Sequence, residues 1–311
     1  MAKLHRVPSG PRLGCFVCVN IAIGLVVLKS KWVAGARPRT LPAAIVPVVV
    51  GSAAARGHFN LVRALLAAIV ALSIQIATNY ANDYSDGKRG TDDKRVGPMR
   101  LVASGAARPK QVLAAALIAF AIAGLAGTVL ALLTTPILFG VGAVAIAAGW
   151  YYTGGKHPYG YYGFGELFVF IFFGLVAVVG TYYVQVGHVT YESVVLGSAS
   201  GLLAVSLLVV NNVRDIDTDK VSGKKTLAVR LGDKNSRILY SATVLIGVLL
   251  PLALVTNDIY TLLVVLLVPI STPLIRKVTG GAKGRELIEV LGGTGRLQLA
   301  FAVTTAVALI L

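Results

Sequence analysis

Residues 112–133 read VLAAALIAFAIAGLAGTVLALL. No charged side chain interrupts the run, and apolar residues do not alternate with polar ones. About 20 such residues match the hydrocarbon thickness of a bilayer. Eight further apolar runs fall at 41–57, 62–81, 135–152, 164–187, 194–212, 236–255, 259–275 and 287–311. Backbone amides find no partner in lipid, so each run must be a helix or a strand of a closed barrel. The lack of period-two alternation selects helices. The expected class is all-α, a polytopic membrane protein of nine transmembrane helices. Only 14% of residues are charged, well below the soluble average.

The formal net charge is +16, which invites a nucleic-acid partner. The distribution of charge speaks against one. With nine spans, the loops after spans two, four, six and eight share a face with the segment before span one. The basic clusters lie there, seven Lys and Arg within 82–110 and seven within 213–237. The loops after spans three, five and seven carry no Lys or Arg, and Arg56 and Arg63 flank the turn between spans one and two. This asymmetry sets orientation, with the basic loops in the cytoplasm of a cell-membrane protein. Residues 1–36 read as an N-terminal extension of uncertain status, and 37–311 as the functional domain. Cys15 and Cys18 form a C-x-x-C without a second pair or a βαβ context, so no metal or redox role is expected of them.

The thirteen carboxylates are not spread evenly. Seven fall within two stretches, 82–93 and 211–219, at the same-face ends of spans two and six. In NNVRDIDTDK, Asn211, Asp215 and Asp219 recur every four residues. In NYANDYSD, Asn79 pairs with Asp83 and Asn82 with Asp86 at the same interval. On helices this spacing lines up each set along one face. Asp217 falls off the ridge and is expected in solvent. Crowded carboxylates repel one another unless a cation sits among them, and all-oxygen ligands suit Mg²⁺ shared with phosphate oxygens. An EF-hand is excluded at DIDTDKVSGKKT, because Lys220 and Thr226 stand where Gly and Glu are required. Two acidic ridges with Lys and Arg between them point to a metal-held diphosphate. In a membrane protein, a polyprenyl diphosphate fits, with its head at the polar face and its chain between helices.

The stretches NDYSDGKRGTD, DIDTD and YTGGK resemble the N-D-x-x-D, D-x-x-x-D and Y-x-x-x-K elements of UbiA-type intramembrane aromatic prenyltransferases. The likeness runs from about Arg37 to the C-terminus. It is strongest to the menaquinone branch, whose acceptor is 1,4-dihydroxy-2-naphthoate, in ARPRTLPAAIVPVVVG, NDYSDGKRGTDDKRVGPMRLVASG and NNVRDIDTDKVSGKKTLAVRLG. Gly90 stands where the late Asp of the first motif is common, and Asp92 follows two residues on. The resemblance implies nine helices around a central cavity under cytoplasmic cap loops, with one metal ion per motif.

It further implies Mg²⁺ held by Asn82, Asp86, Asp215 and Asp219, with Asp83, Asp92 and Asn211 assisting. Lys156, Arg37 and Arg100 are expected on the diphosphate, with Asn79 beside the substrate. Tyr151, Tyr152 and Phe164 are expected against the allylic cation. Competing readings make Lys156 and Arg37 topology-setting cations and Tyr151 and Tyr152 interfacial belt residues. The acceptor alternatives are hydroxybenzoate, homogentisate or a chlorophyll precursor. A transporter is the alternative of another class, but the motif acids gather on one face and, apart from Arg296 within 287–311, charges keep to the span ends, against the pattern of alternating access.

Overall fold

The computed structural model describes residues 30–91 and 99–311. Asp92, Cys15, Cys18 and most of the 1–36 stretch lie outside the described residues. All regular elements among the described residues are helical. They are α1 (Lys31–Ala36), α2 (Pro42–Ala54), α3 (Leu61–Arg89), α4 (Pro109–Leu133), α5 (Ile137–Tyr151), α6 (Gly165–Val186), α7 (Tyr191–Val221), α8 (Leu227–Leu254), α9 (Ile259–Thr279) and α10 (Gly284–Ile310).

Seven of these, α3, α4 and α6 to α10, are long and apolar enough to cross a membrane. The segment Lys31–Thr40 with Pro42–Ala54, bent by 52°, makes an eighth if it is one span. The expected count of nine also needs α5. Its fifteen residues reach about 22 Å at 1.5 Å per residue, short of a ~30 Å hydrocarbon core. Leu125, Leu132, Leu266 and Ile310 are all more than 60% exposed. Lipid, not water, suits such a surface. The chain is a multi-pass membrane protein.

Local chemistry fixes the helix ends. Asn60 accepts the Arg63 N–H at the start of α3, and Thr190 accepts that of Ser193 at the start of α7. Pro109 opens α4, where a missing N–H costs nothing. Two poles result. At one, Arg56 donates to both Glu192 and Asp258, and Arg63 donates to the Val184 carbonyl. This ties together the α2–α3, α6–α7 and α8–α9 turns. The other pole carries both acidic motifs. There the helices run past the expected limits: α3 continues from 81 to Arg89 and α7 from 212 to Val221. The motifs therefore sit on helices, as the four-residue spacing requires.

At the centre stands α7, with 78% of its apolar window buried against 17% for that of α3. Its close partner is α6, whose middle, Phe170–Val179, is π-helical. A Cβ on Gly174 would lie 2.5 Å from Gly201 Cα and 2.6 Å from the Gly197 carbonyl oxygen. Small residues let these two backbones meet, the usual route to tight helix pairs in lipid. Gly201→Val should therefore cost about 1–3 kcal/mol by overpacking. Thermal unfolding in detergent is the check. Gly124→Val, at a position with open space around it, should leave the melting temperature in place.

Candidate active site

A cavity of about 680 Å³ runs between α2, α3, α4, α5, α6 and α7, with Ile288 and Leu291 of α10 also in its wall. Its wall is apolar for most of its length. Polar groups gather at the pole of the acidic motifs, where Asn79, Asn82, Asp86, Arg37, Arg100, Tyr152, Asn211, Asp215 and Asp219 all line it. Ten of the expected residues, counting Asp83 behind the wall, thus cluster at one mouth. The two motifs face each other from α3 and α7.

Asp86 is 3% exposed. One carboxylate oxygen accepts the Tyr161 hydroxyl at 2.5 Å and the other the Lys224 ammonium at 3.2 Å. Lys224 also lies 4.7 Å from the Tyr161 ring centre, and Arg89 flanks the same ring at 5.3 Å. Burial, then the negative charge of Asp86, pushes the Tyr161 phenol well above its ordinary range, so it stays protonated and donates. Across the cavity, Arg214 forks onto Asp215 through Nε at 2.8 Å and Nη2 at 2.7 Å. The same Nη2 also donates to the Asn211 side-chain oxygen Oδ1 at 2.8 Å. Such paired, charge-assisted bonds are the geometry in which buried carboxylates are tolerated. Asn82 accepts from the Thr153 hydroxyl at 2.7 Å, and Arg89 donates to the Thr153 and Gly155 carbonyls. These bonds clamp the loop after α5 to the first motif.

Arg37 sits at the break between α1 and α2 with φ +54°, a left-handed conformation that a non-glycine residue adopts only when its surroundings impose it. Asn79 supplies that support. Its Nδ2 donates to the Ala36 carbonyl at 2.9 Å, and its own carbonyl groups receive the Arg37 guanidinium at 3.3 and 3.5 Å.

Several placements differ from the expected ones. Asp83 is fully buried and outside the cavity wall; its oxygens accept the Leu101 and Val102 N–H groups at 2.7 and 3.2 Å. It holds the segment that carries Arg100 to the mouth. Asp83 lies about 100° round the helix from Asn82, and its oxygens are committed to the 101–102 backbone rather than to the cavity. The same rotation separates Tyr152, in the wall, from Tyr151, which is 54% exposed. Phe164 is 52% exposed. Lys156 is exposed and does not line the cavity, because Gly155 at φ +74° turns the loop outward just before it. Asp217 is exposed, as expected.

The sequence reading missed Lys224, Tyr161 and Arg214. Arg214 lies inside NNVRDIDTD, and Lys224 follows five residues after Asp219. Proximity to the motif was the available signal, but both were counted as topology-setting charges. Tyr152, expected near the allylic cation, heads an aromatic series whose other members went unnoticed. Tyr152 meets Tyr159 edge-on at 5.5 Å, Tyr159 stacks on Phe168 at 4.0 Å, and Phe172 follows at 6.0 Å. All four line the cavity just inside the mouth. Burial raises the Tyr159 phenol, in the loop after α5, well above its ordinary range, so it stays protonated.

The pattern of the UbiA prenyltransferase family matches residues 44–283. The chain belongs to that family. It is 50% identical over 282 residues, 90% of this chain and 97% of the relative, to the 1,4-dihydroxy-2-naphthoate octaprenyltransferase of Mycobacterium tuberculosis. It is 40% identical to the Escherichia coli protein of the same name, covering 72% of this chain and 76% of that one. Among solved structures, a UbiA homologue from Archaeoglobus fulgidus bound to DMAPP and Mg²⁺ superposes with a TM-score of 0.64 at 18% identity. It covers 90% of this chain and 99% of that one. An apo homologue from Aeropyrum pernix gives 0.66 at 20% identity, with 87% and 96% covered.

Asp83→Ala should leave the buried Leu101 N–H, and the part-buried Val102 N–H, without this acceptor, at about 1–3 kcal/mol for the buried one. Limited proteolysis should then cut within 99–107 well before the rest of the chain.

Proposed function

We propose that the protein transfers a polyprenyl group from polyprenyl diphosphate to 1,4-dihydroxy-2-naphthoate, releasing diphosphate and CO₂. The product is the reduced form of demethylmenaquinone, a step of menaquinone biosynthesis. One observation carries the reading: two acid-bearing helix faces, Asp86 on α3 and Asp215 with Asp219 on α7, meet at one mouth of a long apolar cavity. The names of the relatives over nearly their full length support the acceptor. The same reading takes nine crossings of the cell membrane, with α5 as the short ninth, and places the mouth at the cytoplasmic face beside the basic loops. Residues 37–311 form the catalytic domain.

The donor atoms fit Mg²⁺. Asn82 and Asp86 on one side, and Asn211, Asp215 and Asp219 on the other, offer only oxygen. Such a donor set suits an ion that keeps several waters and is shared with substrate phosphates. Bound there, Mg²⁺ supplies charge neutralisation for the departing diphosphate.

The chain's own groups do the rest. Arg37, Arg100, Lys224 and Arg214 supply positive charge where the diphosphate leaves with the electrons of the prenyl C–O bond. The aromatic series Tyr152, Tyr159, Phe168 and Phe172 faces the delocalised allylic cation. The apolar wall keeps out water, which would otherwise capture that cation. The electron-rich ring carbon bearing the carboxylate attacks, and loss of CO₂ restores aromaticity without an external oxidant.

The test is turnover by purified protein in liposomes, with labelled donor and either dihydroxynaphthoate or hydroxybenzoate. Naphthoate prenylation with CO₂ release, abolished by EDTA and restored by Mg²⁺, is the expected result. Transfer to hydroxybenzoate alone would move the protein to another branch of the family. Asp86→Asn and Asp219→Asn should each lower kcat by about 10²-fold or more. Lys224→Ala should weaken donor use about tenfold through lost charge at the diphosphate. Lys156→Ala, out on the surface, should stay within about twofold of the parent.

A further inference from the structure

One buried carboxylate stands apart from the acidic motifs. Glu166, at the start of α6, is buried but does not line the cavity. A buried carboxylate is costly, and an acid serves the start of a helix without being buried. Its Oε1 accepts the side-chain Nδ2 of Asn212 on α7 at 3.0 Å, in a buried bond between the two helices. Asn212 does line the cavity. It stands three residues before Asp215, about 4.5 Å of helix inward of the second motif. The start of α6 also backs Tyr152. A Cβ on Gly165 would lie 3.3 Å from the Tyr152 ring carbon Cε2 and 3.6 Å from its hydroxyl. Asn212 and Tyr152 thus share one stretch of wall just inside the acids.

The bond fixes which way the Asn212 amide faces. A carboxylate oxygen accepts, so the arm turned to Glu166 is the NH₂. The other arm, the oxygen Oδ1, has no hydrogen-bond partner among the described residues. Nor is it sealed in the core, as the unpartnered Ser200 Oγ and Gln298 Oε1 are. Asn212 is 7% exposed, and that exposure opens on the cavity. An amide oxygen so far removed from water costs free energy unless a donor meets it. Neither an ionised diphosphate nor a prenyl chain has a proton to donate. An aromatic acceptor with a ring hydroxyl has one, and the carboxylate of such an acceptor has none.

We infer that Asn212 Oδ1 accepts the ring hydroxyl of the aromatic acceptor, and that Glu166 is the positioning residue that holds the amide for it. This rests on reading the cavity as the site of prenyl transfer. The depth suits the chemistry. The new bond forms at the prenyl carbon that leaves the diphosphate, so the acceptor ring must lie just inward of the groups that hold the diphosphate. A hydroxyl held at Asn212 limits the ring to orientations that turn one face of carbon toward that position. The Glu166 carboxylate also polarises the amide, which makes Oδ1 a stronger acceptor. As the ring gives up electrons its hydroxyl becomes more acidic, and this bond tightens. A site that reads a hydroxyl in this way rejects an analogue lacking it.

The experiment measures KM for dihydroxynaphthoate and for the prenyl donor separately, in liposomes with Mg²⁺. Asn212→Leu should raise the acceptor KM about tenfold or more, the worth of one buried hydrogen bond, and leave the donor KM within about twofold. Glu166→Ala should move the same constant in the same direction. Glu166→Gln, whose oxygen can accept the same N–H, should recover most of the loss. A second readout is competitive inhibition by 2-naphthoate and by its 1-hydroxy and 4-hydroxy derivatives. The parent should bind at least one hydroxylated compound about tenfold more tightly than 2-naphthoate, and Asn212→Leu should abolish that preference. An unchanged acceptor KM in Asn212→Leu would overturn the inference. So would acceptor and donor KM rising together, the mark of a merely structural role. If Glu166→Ala does not accumulate, Glu166→Gln decides the positioning role, and a Gln variant more impaired than Asn212→Leu would overturn it. Parent protein that turns over no acceptor at all would instead sink the functional reading itself.

Discussion

The pairing of Asp86 with a phenol and an ammonium from two different loops organises the mouth of this protein. A carboxylate buried at the end of a membrane helix is costly unless positive charge and hydrogen-bond donors meet it. Tyr161 comes from the loop after α5 and Lys224 from the turn after α7. By holding Asp86, these two side chains draw both loops over the first motif. Arg214 performs the same service for Asp215 within α7. The acids can therefore face each other across an apolar cavity, and the cations that hold them stand where a diphosphate would need charge.

Around this mouth the structure separates polar positioning from apolar containment. Asp83 holds the backbone at Leu101 and Val102, and Asn79 holds the strained Arg37, so two cations are fixed by groups of which only Asn79 also faces the cavity. The left-handed backbone at Arg37 stores about 1–3 kcal/mol. Asn79 sits on α3, so the strain is carried by the helix that bears the first motif. Inward of the mouth the polar groups give way to aromatic rings and aliphatic side chains.

Much of the site was legible because helical spacing is local. Asn82 with Asp86, and Asn211 with Asp215 and Asp219, share faces by their four-residue intervals, and both sets line the cavity. Residues beside those faces were misplaced, because spacing alone does not say which groups they bond. Asp83 turned to the backbone of 101–102 and Tyr151 to the outside. The loop after α5 was not legible. Its sequence holds Tyr152, Lys156, Tyr159 and Tyr161, and nothing local says that Gly155 sends Lys156 outward while Tyr161 turns in. Lys224 and Arg214 were concealed by a true rule, since cytoplasmic basic clusters do set topology. Charge counting cannot tell which members of a cluster are also buried partners.

The sequence by itself determined that the chain is helical and lives in a bilayer, because lipid permits few backbone solutions and hydropathy runs announce them. It also determined that two acid ridges lie toward one side, because orientation follows loop charge and each ridge follows the helical repeat. Only the tertiary structure decided which cations neutralise those acids and which side chains line the cavity. It alone also distinguished glycines that admit a neighbouring helix, such as Gly174, from glycines that leave a space. Those facts depend on contacts between residues far apart in the chain. Such contacts are set by packing across several helices at once, which no local spacing encodes.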